Sequence, residues 1–101
     1  MKRFSVLLSP EAERDLEDIY RYVRQVSTSS LVARQYINRV MKFLATFDTF
    51  PERGSLRNDI RSGLRVVGFE RNASVAFVVE SDRVIILSIA MGGKQGFSDD
   101  G

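Results

Sequence analysis

The sequence predicts an α+β domain of two layers: an antiparallel helical hairpin packed on one face of a small, mostly antiparallel sheet, in chain order β-α-α-β-β-β. Three observations carry this. Two stretches in the N-terminal half repeat apolar residues at helical spacing. A short polar stretch, Ser27-Thr28-Ser29-Ser30, joins them, too short a connection for the two helices to straddle a sheet. Three short segments then follow, Leu64 to Phe69, Val75 to Val79 and Val84 to Ile89, and they are apolar on both faces. Val75, Phe77 and Val79 point one way while Ala76 and Val78 point the other, and Val84 and Ile86 oppose Ile85, Leu87 and Ile89 in the same manner. Such a sheet needs cover on two sides, and one hairpin supplies one.

Phe4 to Leu8 reads as the first strand. Ser9-Pro10-Glu11 starts the first helix, with Ser9 as N-cap, Pro10 at the first helical position and Glu11 on the positive end of the dipole. Its apolar stripe is Ala12, Leu16, Ile19, Tyr20 and Val23. Glu17 and Arg21 are spaced as an i,i+4 pair. The second helix is expected from about Leu31 to Phe47, burying Ala33, Tyr36, Ile37, Val40, Leu44 and Phe47. Phe50-Pro51-Glu52-Arg53-Gly54 ends it. A polar loop from Ser55 to Ser62 leads to Gly63, and turns at Arg71-Asn72-Ala73 and Ser81-Asp82 make the last three strands an antiparallel meander. The stretch from Gly92 to Gly101 reads as a loose tail carrying Phe97.

With 101 residues the chain forms one domain, residues 1–101. A hydrophobic fraction of 44% and a charged fraction of 28% are ordinary for a soluble protein. The net charge is only +2, the pI is near 9.3, and arginine greatly outnumbers lysine. Arginine suits planar contacts with carboxylate and phosphate, so an acidic partner is expected. No cysteine means no disulfide, thiol nucleophile or zinc–thiolate site. No histidine removes the Ser-His-Asp triad and the commonest metal ligand. No metal or cofactor is expected. The apolar stretch after Met1-Lys2-Arg3 is too short for a signal peptide, and no run approaches the ~18 residues of a membrane span. A cytoplasmic location and no membrane partner follow as expectations.

The chain resembles the ParE branch of the RelE/ParE toxin superfamily. The matching features are Ser9-Pro10-Glu11-Ala12 with Asp15-Leu16 and Ile19-Tyr20, then Ala33 and Tyr36, Phe50-Pro51 with Gly54, Gly63-Leu64-Arg65, and the closing strand Val84-Ile85-Ile86-Leu87-Ser88-Ile89. The resemblance implies the strand–helix–helix–three-strand fold. It also implies a ParD-like antitoxin of ribbon–helix–helix type, whose C-terminal segment wraps the toxin. RelE-type members cleave mRNA on the ribosome, whereas ParE-type members poison DNA gyrase. The ribonucleases often carry an aromatic and an arginine in the middle meander strand, where this chain has Val78 and Val79, and relatives often carry histidine or tyrosine where it has Met91. Activating a 2′-hydroxyl needs a proton acceptor and a donor, and these side chains are neither. These departures favour a binding toxin, with DNA engaged only through the antitoxin complex; the resemblance leaves as alternatives a RelE-like ribosome-dependent endoribonuclease with Arg65, Arg61 and Lys94 as phosphate clamps, and a degenerate non-toxic member that only binds its antitoxin.

The candidate site for antitoxin or target comprises Arg65, Arg61, Arg57, Arg71, Lys94, Val78 and Met91. Arg65, after Gly63, either recognises an acidic group of a partner or pairs with a helix-1 carboxylate such as Asp15 or Asp18. Arg53, Arg57, Arg61 and Arg71, with Lys94 at the far end, form either a basic rim around the sheet or scattered charge diluted by Glu52, Asp59 and Glu70. Glu11, Asp15 and Asp18 read as a solvated helix face. Tyr20 and Tyr36 read as core residues with exposed hydroxyl tips.

Overall fold

The computed structural model describes residues 2–92. In chain order the elements are β1 (Ser5–Leu8), α1 (Pro10–Ser27), α2 (Ser30–Ala45), a 3₁₀ turn (Thr46–Asp48), β2 (Ser55–Leu56), β3 (Arg65–Phe69), β4 (Ala73–Glu80) and β5 (Arg83–Met91). One five-stranded sheet runs β1-β5-β4-β3-β2. β3, β4 and β5 form the expected antiparallel meander, and β1 joins its edge parallel to β5.

Capping sets both helices. Ser9 Oγ accepts from the Ala12 N–H at 3.0 Å, with Pro10 at the first helical position. Thr28 closes α1 in the left-handed conformation (φ 56°), and Ser29 Oγ caps α2 by accepting from Val32 N–H at 3.1 Å. The break therefore narrows to Thr28 and Ser29, which enforces an antiparallel hairpin. Arg21 pairs with Asp18 one turn back rather than with Glu17. α2 ends at Ala45, and Phe47 enters the core from the 3₁₀ turn instead.

Both helices lie on one side of the sheet. Ala12, Ile19, Tyr36, Val40 and Leu44 pack with Phe47 against Val75, Phe77, Val84, Ile86 and Ile89. Edge-on ring contacts join Phe43 to Phe47 and Phe47 to Phe77, with centroids 5.3 and 4.8 Å apart. Two departures from expectation have local causes. The loop after α2 contributes the two-residue strand β2, because Gly54 (φ +73°) brings the backbone against Val66, where an added Cβ would lie 2.3 Å from the carbonyl oxygen. In β5, Ala76 pairs with Ser88 but Phe77 pairs with Ile86, so Leu87 is an extra residue in a β-bulge. The bulge reverses the alternation. Ile89 joins Val84 and Ile86 under the helices, not Ile85 and Leu87 on the other face.

Candidate functional site

The face turned away from the helices is built from register. Leu7 pairs with Ile85, and Ile85 with Val78. The next row carries Ser88 opposite Ala76 and Ala76 opposite Val66. Side chains paired across a sheet share a face, so these rows make one apolar strip over β1, β5, β4 and β3. Leu64, Ala76 and Val78 form its buried centre, with Val66, Ile85 and Leu87 packed around them; no helix residue takes part. Leu64 is held there by the loop before it, where Arg57 N–H donates to the Leu64 carbonyl at 2.6 Å and Gly63 N–H to Asn58 Oδ1 at 2.7 Å.

The second face is thus partly covered by the chain itself. Ala76 is fully buried and Val78 is 7% exposed, while Leu7 at the β1 edge is 44% exposed. The titratable positions on this side of the ladder are Glu80 and Arg83 at one end, paired with each other at 3.4 Å. Ser88 is 8% exposed, and its hydroxyl has no hydrogen-bond partner among the described residues. A buried hydroxyl without a partner costs about 1–3 kcal/mol, a cost that an added acceptor or donor would relieve.

The sequence-predicted residues divide among several places. Val78 sits in the centre of this face. Arg65 is paired with Phe77 and so belongs to the helix side; its Nη1 donates to the Arg53 carbonyl at 3.4 Å. It does not meet Asp15 or Asp18, whose carboxylates bind the Ile89 N–H and Arg21. Arg53 stacks its guanidinium over Phe47 and Phe43, 4.6 and 5.4 Å from the ring centroids, and closes the core there rather than joining a rim. Arg57 grips Asp59 through two bonds of 3.0 and 2.8 Å, which holds the Asp59 carboxyl below its ordinary range. Arg61 is exposed in the same loop. Arg71 (φ 65°) lies in the β3–β4 turn, at the opposite end of β3 from Arg65, at least about 13 Å away at 3.3 Å per residue. Met91 faces the helices and accepts from the Tyr36 hydroxyl at 3.7 Å. Lys94, Phe97 and most of the tail lie outside the described residues. The structure does not gather the described cations among them, Arg57, Arg61, Arg65 and Arg71, into one cluster.

Sequence reasoning missed the contacts that fix β5. β1 ends its pairing at Ile86, so the far half of that β5 edge has no strand neighbour among the described residues. α1 serves it instead. Ser9 Oγ donates to the Leu87 carbonyl at 2.9 Å, and the Ile89 N–H donates to Asp15 Oδ2 at 2.8 Å. Burial raises the Asp15 pKa, and the bond from Ile89 opposes that shift. Arg39, also missed, clamps Glu70 with bonds of 2.7 and 3.1 Å and lowers the pKa of that carboxyl. These partners are far apart in the chain, and only the Ser9 cap left a local signal. Among the described residues, no group of three or more His, Cys, Asp or Glu side chains is placed to hold a metal. No described helix is long and apolar enough to cross a membrane.

The same architecture occurs in solved toxin–antitoxin assemblies. The chain is similar to one from the chromosomal ParDE system of P. aeruginosa, with a TM-score of 0.76, 22% identity, and 89% of this chain and 97% of that one covered. It is also similar to one from the RelBE2 toxin–antitoxin complex of Mycobacterium tuberculosis, with a TM-score of 0.69, 16% identity and coverage of 93% and 97%. At these identities the likeness is one of fold. The family model described as the ParE toxin of type II toxin–antitoxin systems, parDE, matches residues 6–95. The chain belongs to that family. No curated protein matches it.

Proposed function

We propose that this toxin acts by binding, with DNA gyrase as its target, and that a ParD-like antitoxin neutralises it by covering the open sheet face. One observation carries the reading: the centre of that face is Leu7, Ile85, Val78, Leu87, Ala76 and Val66, none of them a general acid or base, and its titratable pair, Glu80 with Arg83, stands at one end. Exposed apolar surface of this kind marks docking sites, and Leu7 is the exposed end of the strip. An amphipathic antitoxin helix would lie over Leu7 and Ile85, and a polar group on it would meet the Ser88 hydroxyl. Arg61 and Arg71, exposed at separate corners, would then meet carboxylates at the two ends of the antitoxin segment.

The lack of a proton acceptor at Val78, in the centre of the open face, supports binding over RNA cleavage. The test is a supercoiling assay with purified toxin. Inhibition of gyrase that the antitoxin reverses is expected. Unaffected gyrase, combined with cleavage of ribosome-bound mRNA in arrested cells, would overturn the reading.

A further inference from the structure

The charge of the chain is unevenly divided between its layers. Of 15 basic and 13 acidic residues, five basic and no acidic ones fall between Ile19 and Phe47, which leaves ten against thirteen elsewhere. This stretch is the hairpin from the middle of α1 through α2. Arg39 is committed to Glu70. Arg21, Arg24 and Arg34 converge near the hairpin tip. Arg21 and Arg34 border one cleft of about 360 Å³ between the helices, over a floor of Leu16, Tyr20 and Ile37 and with Glu17 and Asn38 beside them. Arg21 and Arg24 border a second, with Gln25, Thr28 and Ser30.

Arg24 and Arg34 are exposed and have no ion-pair partner among the described residues. Arg21 is shared with Asp18. The N-terminus of α2 opens beside them, and its first turn carries no acidic residue to offset the helix dipole.

We propose that the hairpin tip is a second interaction surface, distinct from the open sheet face, and that it takes the phosphate backbone of duplex DNA. The chemistry favours phosphate over an acidic protein. The side chains bordering the second cleft are arginine, glutamine, threonine and serine, the residue types that contact backbone phosphates; the exposed apolar side chains of the tip, Val26, Leu31 and Val32, do not line it. Arg21 and Arg24, at i,i+3, stand roughly 5–6 Å apart at Cβ on one helix face and present forked donors along a line. The surface lies on the helical layer, so the same molecule can hold a protein on its sheet and DNA on its hairpin.

The experiment titrates a fluorescent 30-base-pair duplex of arbitrary sequence with the full-length toxin at 50 to 200 mM salt. Two double charge reversals are compared: Arg24→Glu with Arg34→Glu on the hairpin, and Arg61→Glu with Arg71→Glu off it. Both change the net charge equally at exposed positions, and thermal melts establish that each remains folded. A milder Arg24→Gln with Arg34→Gln variant is carried alongside. The hairpin reversal is expected to weaken binding at 50 mM salt by tenfold or more and to reduce the slope of log K against log salt by about 2, near 0.9 per lost phosphate contact. The off-hairpin reversal is expected to change affinity less than threefold. Equal losses in the two reversals, or no DNA binding by the wild type at 50 mM salt, would overturn the proposal. Displacement of the duplex by poly-glutamate at matched charge concentration would overturn it in favour of an acidic protein partner.

Discussion

Replacing Asp15 with alanine tests how α1 holds the irregular half of β5. The Ile89 N–H is buried just beyond the bulge, and Asp15 Oδ2 at 2.8 Å is its acceptor. Alanine would leave that N–H without a partner, a loss of about 1–3 kcal/mol. Removing a partly desolvated carboxylate offsets some of this, since burial already disfavours its charge. A net loss of about 2 kcal/mol corresponds to a fall in Tm of about 10 °C for a domain of this size. Asparagine keeps an acceptor oxygen without the charge, so Asp15→Asn should lie within about 1 kcal/mol of the wild type at pH 7.

The pH dependence separates the two effects. Because the folded-state pKa of Asp15 is raised above its ordinary 3.8, the folded chain takes up the proton before the unfolded chain does. Between that raised value and 3.8, lowering the pH should therefore stabilise the wild type relative to Asp15→Asn. Urea denaturation of the three proteins at pH 7 and through that window is the assay. Equal stability of Asp15→Ala and Asp15→Asn at pH 7 would refute the assigned role of the bond.

Three further outcomes are expected. Ser9→Ala loses both the cap on Ala12 and the donor to Leu87, and should cost about 1–2 kcal/mol by urea denaturation. Gly54→Ala forces a Cβ to within 2.3 Å of the Val66 carbonyl at φ +73°, and a loss of about 2–4 kcal/mol is expected, read as a lowered melting temperature. Leu7→Glu places a charge on the exposed edge of the open face. It should leave the melting temperature within a few degrees while weakening antitoxin binding more than tenfold by calorimetry, because the charge would be buried at the interface.

The fold was legible in the sequence where local signals and periodicity agree. Ser9-Pro10, the apolar stripe of α1 and the alternation of Val75 to Val79 each point to the element found. Val78 was set opposite Val75, Phe77 and Val79 because alternation alone decides that, and the structure puts it on the open face. Ile89 was misplaced because Leu87-Ser88 reads as an uninterrupted strand, and a bulge is set by pairing with β4 rather than by those residues' own preferences. The arginines fared differently. Arg65 sits on the helix side through its register with Phe77, and Arg53 lies on the core because α2 delivers Phe43 and the 3₁₀ turn delivers Phe47 beneath it. A charge count carries no information about either face. The basic hairpin tip needed the opposite step, since the acid-free stretch is visible in the sequence but its convergence appears only once α1 and α2 are paired.

Because the chain contains no cysteine, single thiols report cleanly on what the open face meets. Leu7→Cys reads that face, and Met41→Cys, exposed on α2, reads the helical layer. The decisive measurement is the rate of thiol labelling at each position in the free toxin and in its antitoxin complex. Tenfold or greater protection of Leu7→Cys, with Met41→Cys labelled as fast as before, is the result this account requires. Unchanged labelling of Leu7→Cys in the complex would contradict it.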